Sequence, residues 1–287
     1  MKAKPDCIVC VFRQALDSVK HATKSKKKHL MVMRKTARWI ANASLNRTPA
    51  NLSRKLYQIV YHVTAVKDPY RKIKETSNKV AMQILPTMEK KVQKSKDPLK
   101  SALKLAAGGN IIDMGVGVKF NITKDIPTIF NYKFAIDDTE RLRKELKPGK
   151  KILYLGDNAG EIVFDIPLIK EFIRKGVKVV FAVKSGPIIN DATIADARVA
   201  GLTKITTVIE TGSNDIGIGW DKVSKQFLNE VKTADIIISK GHGNYETCDE
   251  RPENFYFLLK CKCHIVAESL HINVGDIVFA HKTRLHK

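Results

Sequence analysis

Two hydrophobic rhythms divide this chain. Over roughly the first hundred residues apolar positions recur every three to four, as at Ile73, Val80, Ile84 and Leu85, which is the period of an amphipathic helix. Thr48-Pro49, Asp68-Pro69 and Asp97-Pro98 each set a capping side chain before a proline at the first helical position, where its missing N–H costs nothing. Three helix starts follow, and Gly108-Gly109 supplies a stop for the last of them. Two earlier helices are expected over residues 7–22 and 27–45. The spacing therefore predicts an N-terminal helical subdomain covering residues 1–148.

From Lys151 the rhythm changes to short apolar runs of the kind that form strands buried on both faces: residues 152–155, 177–183, 205–209, 235–238 and 263–267. Helical patterns lie between them. The one after Gly160 offers Ile162, Ile166, Ile169 and Ile173 to the sheet and stops at Lys175-Gly176. Strands alternating with helices predict a doubly wound, mostly parallel α/β core over residues 149–287. Right-handed crossovers place the C-terminal ends of parallel strands on one rim, so the functional site is sought in the loops that follow the strands.

Polar residues concentrate in those loops. After the first strand comes Gly156-Asp157-Asn158-Ala159-Gly160-Glu161, and after the second Asn190-Asp191, so an acid twice stands beside an amide at a strand end. Oxygen donors of this kind suit divalent cations such as Mg²⁺ and Mn²⁺, and neighbouring strands are about 5 Å apart, close enough for two loops to share one ion. After a later strand comes Ser239-Lys240-Gly241-His242-Gly243-Asn244-Tyr245-Glu246, with a lysine suited to phosphate and a histidine in a site loop. A single Asp-Asn pair is ordinarily a turn or a helix cap. Its recurrence at successive strand ends favours a shared ligand, because a cap gains nothing from an adjacent amide.

The 287 residues suffice for a large core, and no apolar stretch approaches the length of a membrane span. The first residues carry charge without a following apolar run, so a cytoplasmic location is expected. Lysine and arginine total 51 against 29 acidic residues, a formal charge of +22 that steers phosphorylated substrates, attracts nucleic acid without specificity or reflects a lysine-rich proteome, and charge patterning alone does not separate these readings. The short basic run from Lys24 to Lys28 reads as a solvated face. Oligomeric state is not encoded in any recognisable pattern.

The segments GDNAGEIVFD, PIINDATIADA and SKGHGNYE resemble three signatures of the damage-control phosphatase family, and DPYRKIKETSN, LAAGGNIID and LLKCKC extend the resemblance from Cys7 to Gly275. It implies a helical N-terminal subdomain on a Rossmann-like core, a divalent metal (Mn²⁺, Ni²⁺, Co²⁺ or Mg²⁺) and hydrolysis of small phosphorylated metabolites such as sugar phosphates. Carried over by motif, the metal ligands are Asp157, Asn158 and Asp191, Lys240 and Asn244 lie at the phosphate or substrate body, and Asn110 is a substrate contact. The tail His281-Lys-Thr-Arg-Leu-His lacks the Arg-Thr-x-Lys motif of the eukaryotic branch, which sets the chain nearer the compact microbial branch.

Phosphate ester hydrolysis needs neutralised phosphoryl oxygens and an in-line nucleophile. The cation and Lys240 are expected to supply the first. The second is either a metal-activated water oriented by Asp157 or Glu161, or an aspartate attacking directly. Three readings stand for the cysteines: a structural zinc site using Cys7, Cys10 and Cys263, a redox-sensitive pair, or buried free thiols. Two other functions compete, a basic nucleic-acid-binding protein without catalysis and a carboxyl methyltransferase. The latter is disfavoured because Asp157-Asn158 stands where a glycine-rich cofactor loop would turn.

Overall fold

The computed structural model describes residues 1–109 and 128–285, so Asn110 and Asp113 lie outside the described residues. Seven strands of the described chain form one sheet: β1 (Phe134–Asp137), β2 (Lys151–Leu155), β3 (Lys178–Val183), β4 (Thr207–Glu210), β5 (Ile236–Lys240), β6 (Phe255–Lys260) and β7 (Ile277–His281). Their order is β1-β7-β6-β5-β2-β3-β4. The strands from β2 to β6 run parallel, β7 pairs antiparallel with β6, and β1 pairs parallel with β7. Chain order reverses between β2 and β5, and in a doubly wound sheet the crevice beyond such a reversal is where ligands bind.

Each inner strand is apolar on both sides, and the two-residue period deals its side chains to two cores. Ile152, Tyr154, Phe181, Ile238 and Tyr256 face α4 (Arg71–Gln93), α5 (Pro98–Gly108) and α7 (Glu161–Arg174), with α6 (Thr139–Glu145) and α8 (Ile194–Val199) at the margins of that layer. Leu153, Leu155, Ile237, Phe255 and Phe257 face α9 (Lys225–Thr233), α10 (Gly241–Cys248) and α11 (His264–Leu270). A third core, with Val11, Val19, Val32, Leu52 and Leu56, joins α1 (Pro5–Ala22), α2 (Lys26–Ile40) and α3 (Pro49–Thr64).

The helix starts expected at Thr48 and Asp97 are present, with their side chains accepting from Asn51 N at 3.2 Å and Lys100 N at 3.1 Å. Asp68 instead accepts from Tyr70 N at 3.1 Å in a turn, and α4 begins only at Arg71. The stretch assigned to one helical subdomain is divided: α1 to α3 keep their own core, whereas α4 and α5 cover the sheet and β1 joins it. The strand expected over 263–267 is the N-cap and first turns of α11, and the strand there is the preceding run, β6. A five-residue apolar run has no period long enough to separate a strand from the buried side of a helix. Ile173, expected to face the sheet, is 41% exposed at the end of α7.

Leu153 is fully buried in the central strand. Replacing it with alanine is expected to lower unfolding stability by about 2 to 5 kcal/mol, read as a lower urea midpoint with an unchanged slope.

Candidate active site

The loops after β2 and β3 are stitched together by their backbones. Ala192 N donates to Asp157 O at 2.8 Å, Ala159 N donates to Asn190 O at 2.8 Å, and Asn158 and Asp191 form an isolated antiparallel bridge. The shared position expected from strand spacing is thus fixed by hydrogen bonds between the loops themselves. Two glycines make room for it. A Cβ on Gly241, whose φ is +79°, would lie 2.0 Å from Asp157 Oδ2, and a Cβ on Gly160, at φ +80°, would meet Ser77 at 2.7 Å. Gly160 N also donates to Asn78 Oδ1 at 2.7 Å, which locks the start of α7 to α4.

A cavity of about 1000 Å³ opens over this junction. Asp157, Asn158, Glu161 and Asp191 form one wall, α1 lends Gln14 and Asp17 to another, and Glu246 and Lys262 also line it. Burial pushes the Asp157 carboxyl well above the carboxylate range, and the charges of Glu161 and Asp191 push it further. Burial likewise raises Asp191 to about 6, although Lys184 at 3.6 Å works in the opposite direction. Asn158 Nδ2 donates to Asp157 Oδ2 and Glu161 Oε2, both at 3.1 Å, and a half turn of the amide would present its oxygen to the same space.

Lys240 does not reach the cavity. It is wholly buried and donates to Glu161 Oε1 at 2.7 Å and Asp165 Oδ1 at 2.8 Å. Burial alone would lower its pKa, and the two carboxylates outweigh that and hold it above the lysine range. Glu161 and Asp165 stand four apart on the otherwise apolar first half of α7, and buried acids require a cation. Asn244 is also withdrawn from the substrate side, its Nδ2 donating to Gly156 O at 3.1 Å and Lys240 O at 2.9 Å. Both residues brace the ends of β2 and β5. Among the described residues the lysine that does line the cavity is Lys262, in the LLKCKC segment, a residue to which no site role was assigned.

Glu161 has one oxygen on Lys240 and the other on Asn158, so it positions the amide. His242 accepts from Lys262 N at 2.9 Å, and burial, aided by Lys262, pushes its imidazole down to about 4, so the ring is neutral. Cys7, Cys10 and Cys263 are free thiols lining the cavity, and burial pushes Cys7 and Cys263 upward. Among the described residues no group of three or more His, Cys, Asp and Glu side chains has the arrangement of a metal cluster. A cation at the strand ends would rest on two carboxylates, one amide and non-protein oxygens, a donor set that Mg²⁺ and Mn²⁺ accept.

Residues 3–278 match the family described as the damage-control phosphatase ARMT1-like domain. The chain belongs to the damage-control phosphatase family. It is similar to a damage-control phosphatase of Archaeoglobus fulgidus, 36% identical with 97% of this chain and 98% of that one covered. A damage-control phosphatase of Pyrococcus horikoshii is 35% identical over 97% of both chains. The crystal structure of a duf89 family protein from Pyrococcus horikoshii superposes with a TM-score of 0.91 at 33% identity, covering 98% of this chain and 99% of that one. An uncharacterised protein of Methanocaldococcus jannaschii is 36% identical over 97% of this chain and 95% of its own. Fold and family thus agree with the resemblance carried by the strand-end motifs. Among the described residues no helix is long and apolar enough to cross a membrane.

Gly241→Ala would drive a methyl group into the Asp157 carboxylate, so phosphatase activity is expected to fall by about two orders of magnitude or more, as a displacement near 1 Å can do. A circular dichroism spectrum like the wild type's would accompany that loss. For Asp191, the unfolded carboxyl titrates near 3.8 and the folded one near 6. The raised folded value makes its contribution to stability present at low pH and lost as pH rises through that window. In chelator, Asp191→Asn is therefore expected to gain in urea midpoint over the wild type between pH 4 and pH 6.

Proposed function

We propose that this chain is a metal-dependent phosphomonoester hydrolase acting on small phosphorylated metabolites, sugar phosphates among them. The observation that carries this reading is the stitched strand-end pair, which sets Asp157 and Asp191 beside one cavity, where burial and neighbouring acids raise both carboxyls and a bound cation would lower them. The protein is strongly basic, yet this wall is acidic, and an acidic wall attracts a phosphate dianion only through a bound cation.

Asp157, Asn158 and Asp191 would hold that cation, and when bound it supplies neutralisation of the phosphoryl oxygens and activation of a water. Glu161 keeps the Asn158 amide in place, and Lys240 keeps Glu161 in place. Lys262, at the cavity wall, would place positive charge near a bound phosphate. Neutral His242 receives its hydrogen bond from the Lys262 backbone and fixes that segment. The substrate body extends toward α1, where Gln14 and Asp17 offer hydrogen-bonding groups to hydroxyls.

The purified protein is expected to release phosphate from sugar phosphates with Mg²⁺, Mn²⁺, Co²⁺ or Ni²⁺ added singly and to lose that activity in chelator. Asp157→Asn should reduce turnover at least a thousandfold. Full activity in chelator, or in Asp157→Asn, would refute the proposal. With a phosphate ester made chiral at phosphorus by oxygen isotopes, inversion supports direct attack by water, and retention identifies a phosphoenzyme.

A further inference from the structure

From residue 18 to residue 67 the chain contains no aspartate or glutamate and contains twelve lysines and arginines. At the chain's mean acidic content, a run of that length would hold about five carboxylates. These residues fold as the end of α1 and the whole of α2 and α3, so the imbalance is concentrated on one outer layer. Ten of the twelve basic side chains are exposed. Among the described residues only Arg54 of the twelve forms an ion pair, with Asp215 at 2.8 Å and Asp221 at 3.3 Å. Several basic side chains on other helices are matched, as in Lys170 with Glu89, Lys74 with Asp68 and Arg143 with Asp97, and α4 carries its own acids, Glu75 and Glu89, beside its lysines.

The packing of α2 directs this charge outward. Val32, Thr36 and Ile40 are buried against α1 and α3, which leaves Lys27, Arg34, Lys35 and Arg38 in solvent. The first turn of α2 carries Lys26, Lys27 and Lys28, where the helix dipole is already positive and acidic residues are the stabilising choice. The chain thus holds an array of like charges that its own residues do not offset. A polyanion offsets them on binding, with release of its condensed counterions.

We propose that the outer face of α2 and α3 binds the sugar-phosphate backbone of nucleic acid, as a function separate from the cavity and independent of its phosphatase reading. From Lys27 to Arg38 the helix rises about 16 Å, a span that faces about five phosphates of one strand. The charges contact phosphates and carry no base-reading geometry, so binding is independent of sequence. A membrane surface is the weaker fit. Interfacial helices bury a continuous apolar face, and that face of α2 is already occupied, which leaves Leu30 and Met31 as its exposed large apolar residues.

The test is fluorescence anisotropy of the full-length protein with a labelled, mixed-sequence single-stranded RNA of about 20 nucleotides, repeated from about 50 to 200 mM salt. The expected result is binding at micromolar to tens of micromolar concentration that weakens steeply with salt. A Lys27→Glu, Arg34→Glu, Arg38→Glu variant should bind at least tenfold more weakly with a shallower salt slope. A Lys27→Ala, Arg34→Ala, Arg38→Ala variant should show a smaller loss in the same direction. A charge-matched Lys90→Glu, Lys91→Glu, Lys94→Glu variant on α4 should stay within about twofold of the wild type, a margin worth under 1 kcal/mol. The same thermal midpoint in all four proteins reports an intact fold. Absence of binding at the lowest salt, or equal losses in the α2 and α4 variants, would overturn the proposal. Tighter binding to phosphatidylserine vesicles than to RNA, lost in the same α2 variants, would also overturn it.

Discussion

Desolvated negative charge at the end of one strand is the constraint around which the rest of this site is built. Asp157, Glu161, Asp165 and Asp191 are gathered near the C-terminal end of β2, and Glu161 repels each of the other three, as Asp157 and Asp191 repel one another, in a setting where water screens poorly. The fold answers with buried cations. Lys240 serves Glu161 and Asp165, and Lys184 approaches Asp191, while Tyr154 donates its hydroxyl to Asp165 at 2.8 Å. Asp157 is left with an amide as its neighbour and a cavity in front of it. Inner acids compensated by lysines and an Asp157 that faces a cavity are the features that support the proposed cation site.

The scaffold explains why those groups converge. Reversal of chain order between β2 and β5 opens the crevice, and the hydrogen bonds from Ala192 to Asp157 and from Ala159 to Asn190 hold the β2 and β3 loops as one piece. Asn244 links the carbonyls of Gly156 and Lys240 across that crevice. The N-terminal helices then close the cavity from above through residues of α1, α3 and α4. The helical layer is thereby part of the site's wall as well as a separate core.

Much of this was legible in the chain. The change of apolar period near Lys151 located the sheet, and acid-amide pairs after two successive strands located the junction, because both signals are local. What sequence did not reveal depends on distant packing. Lys240 read as a phosphate ligand because a lysine after a strand is ordinarily at the rim, and only its contact with Glu161 and Asp165, on the other side of the crevice, shows it to be a strut. Lys262 was passed over because it follows β6, a strand mistaken for its neighbour. The helix at His264 went unread for the same reason, since a short run of buried residues lacks a decisive period.

Calorimetric titration of Mn²⁺ into chelator-treated protein asks whether Asp157 and Asp191 together form a cation site. The expected result is one ion per chain, with protons released on binding because burial raises both carboxyls, and affinity that falls as pH is lowered. The Asp157→Asn, Asp191→Asn double variant should lose the binding and the proton release together. Unchanged Mn²⁺ affinity in that variant would contradict the account.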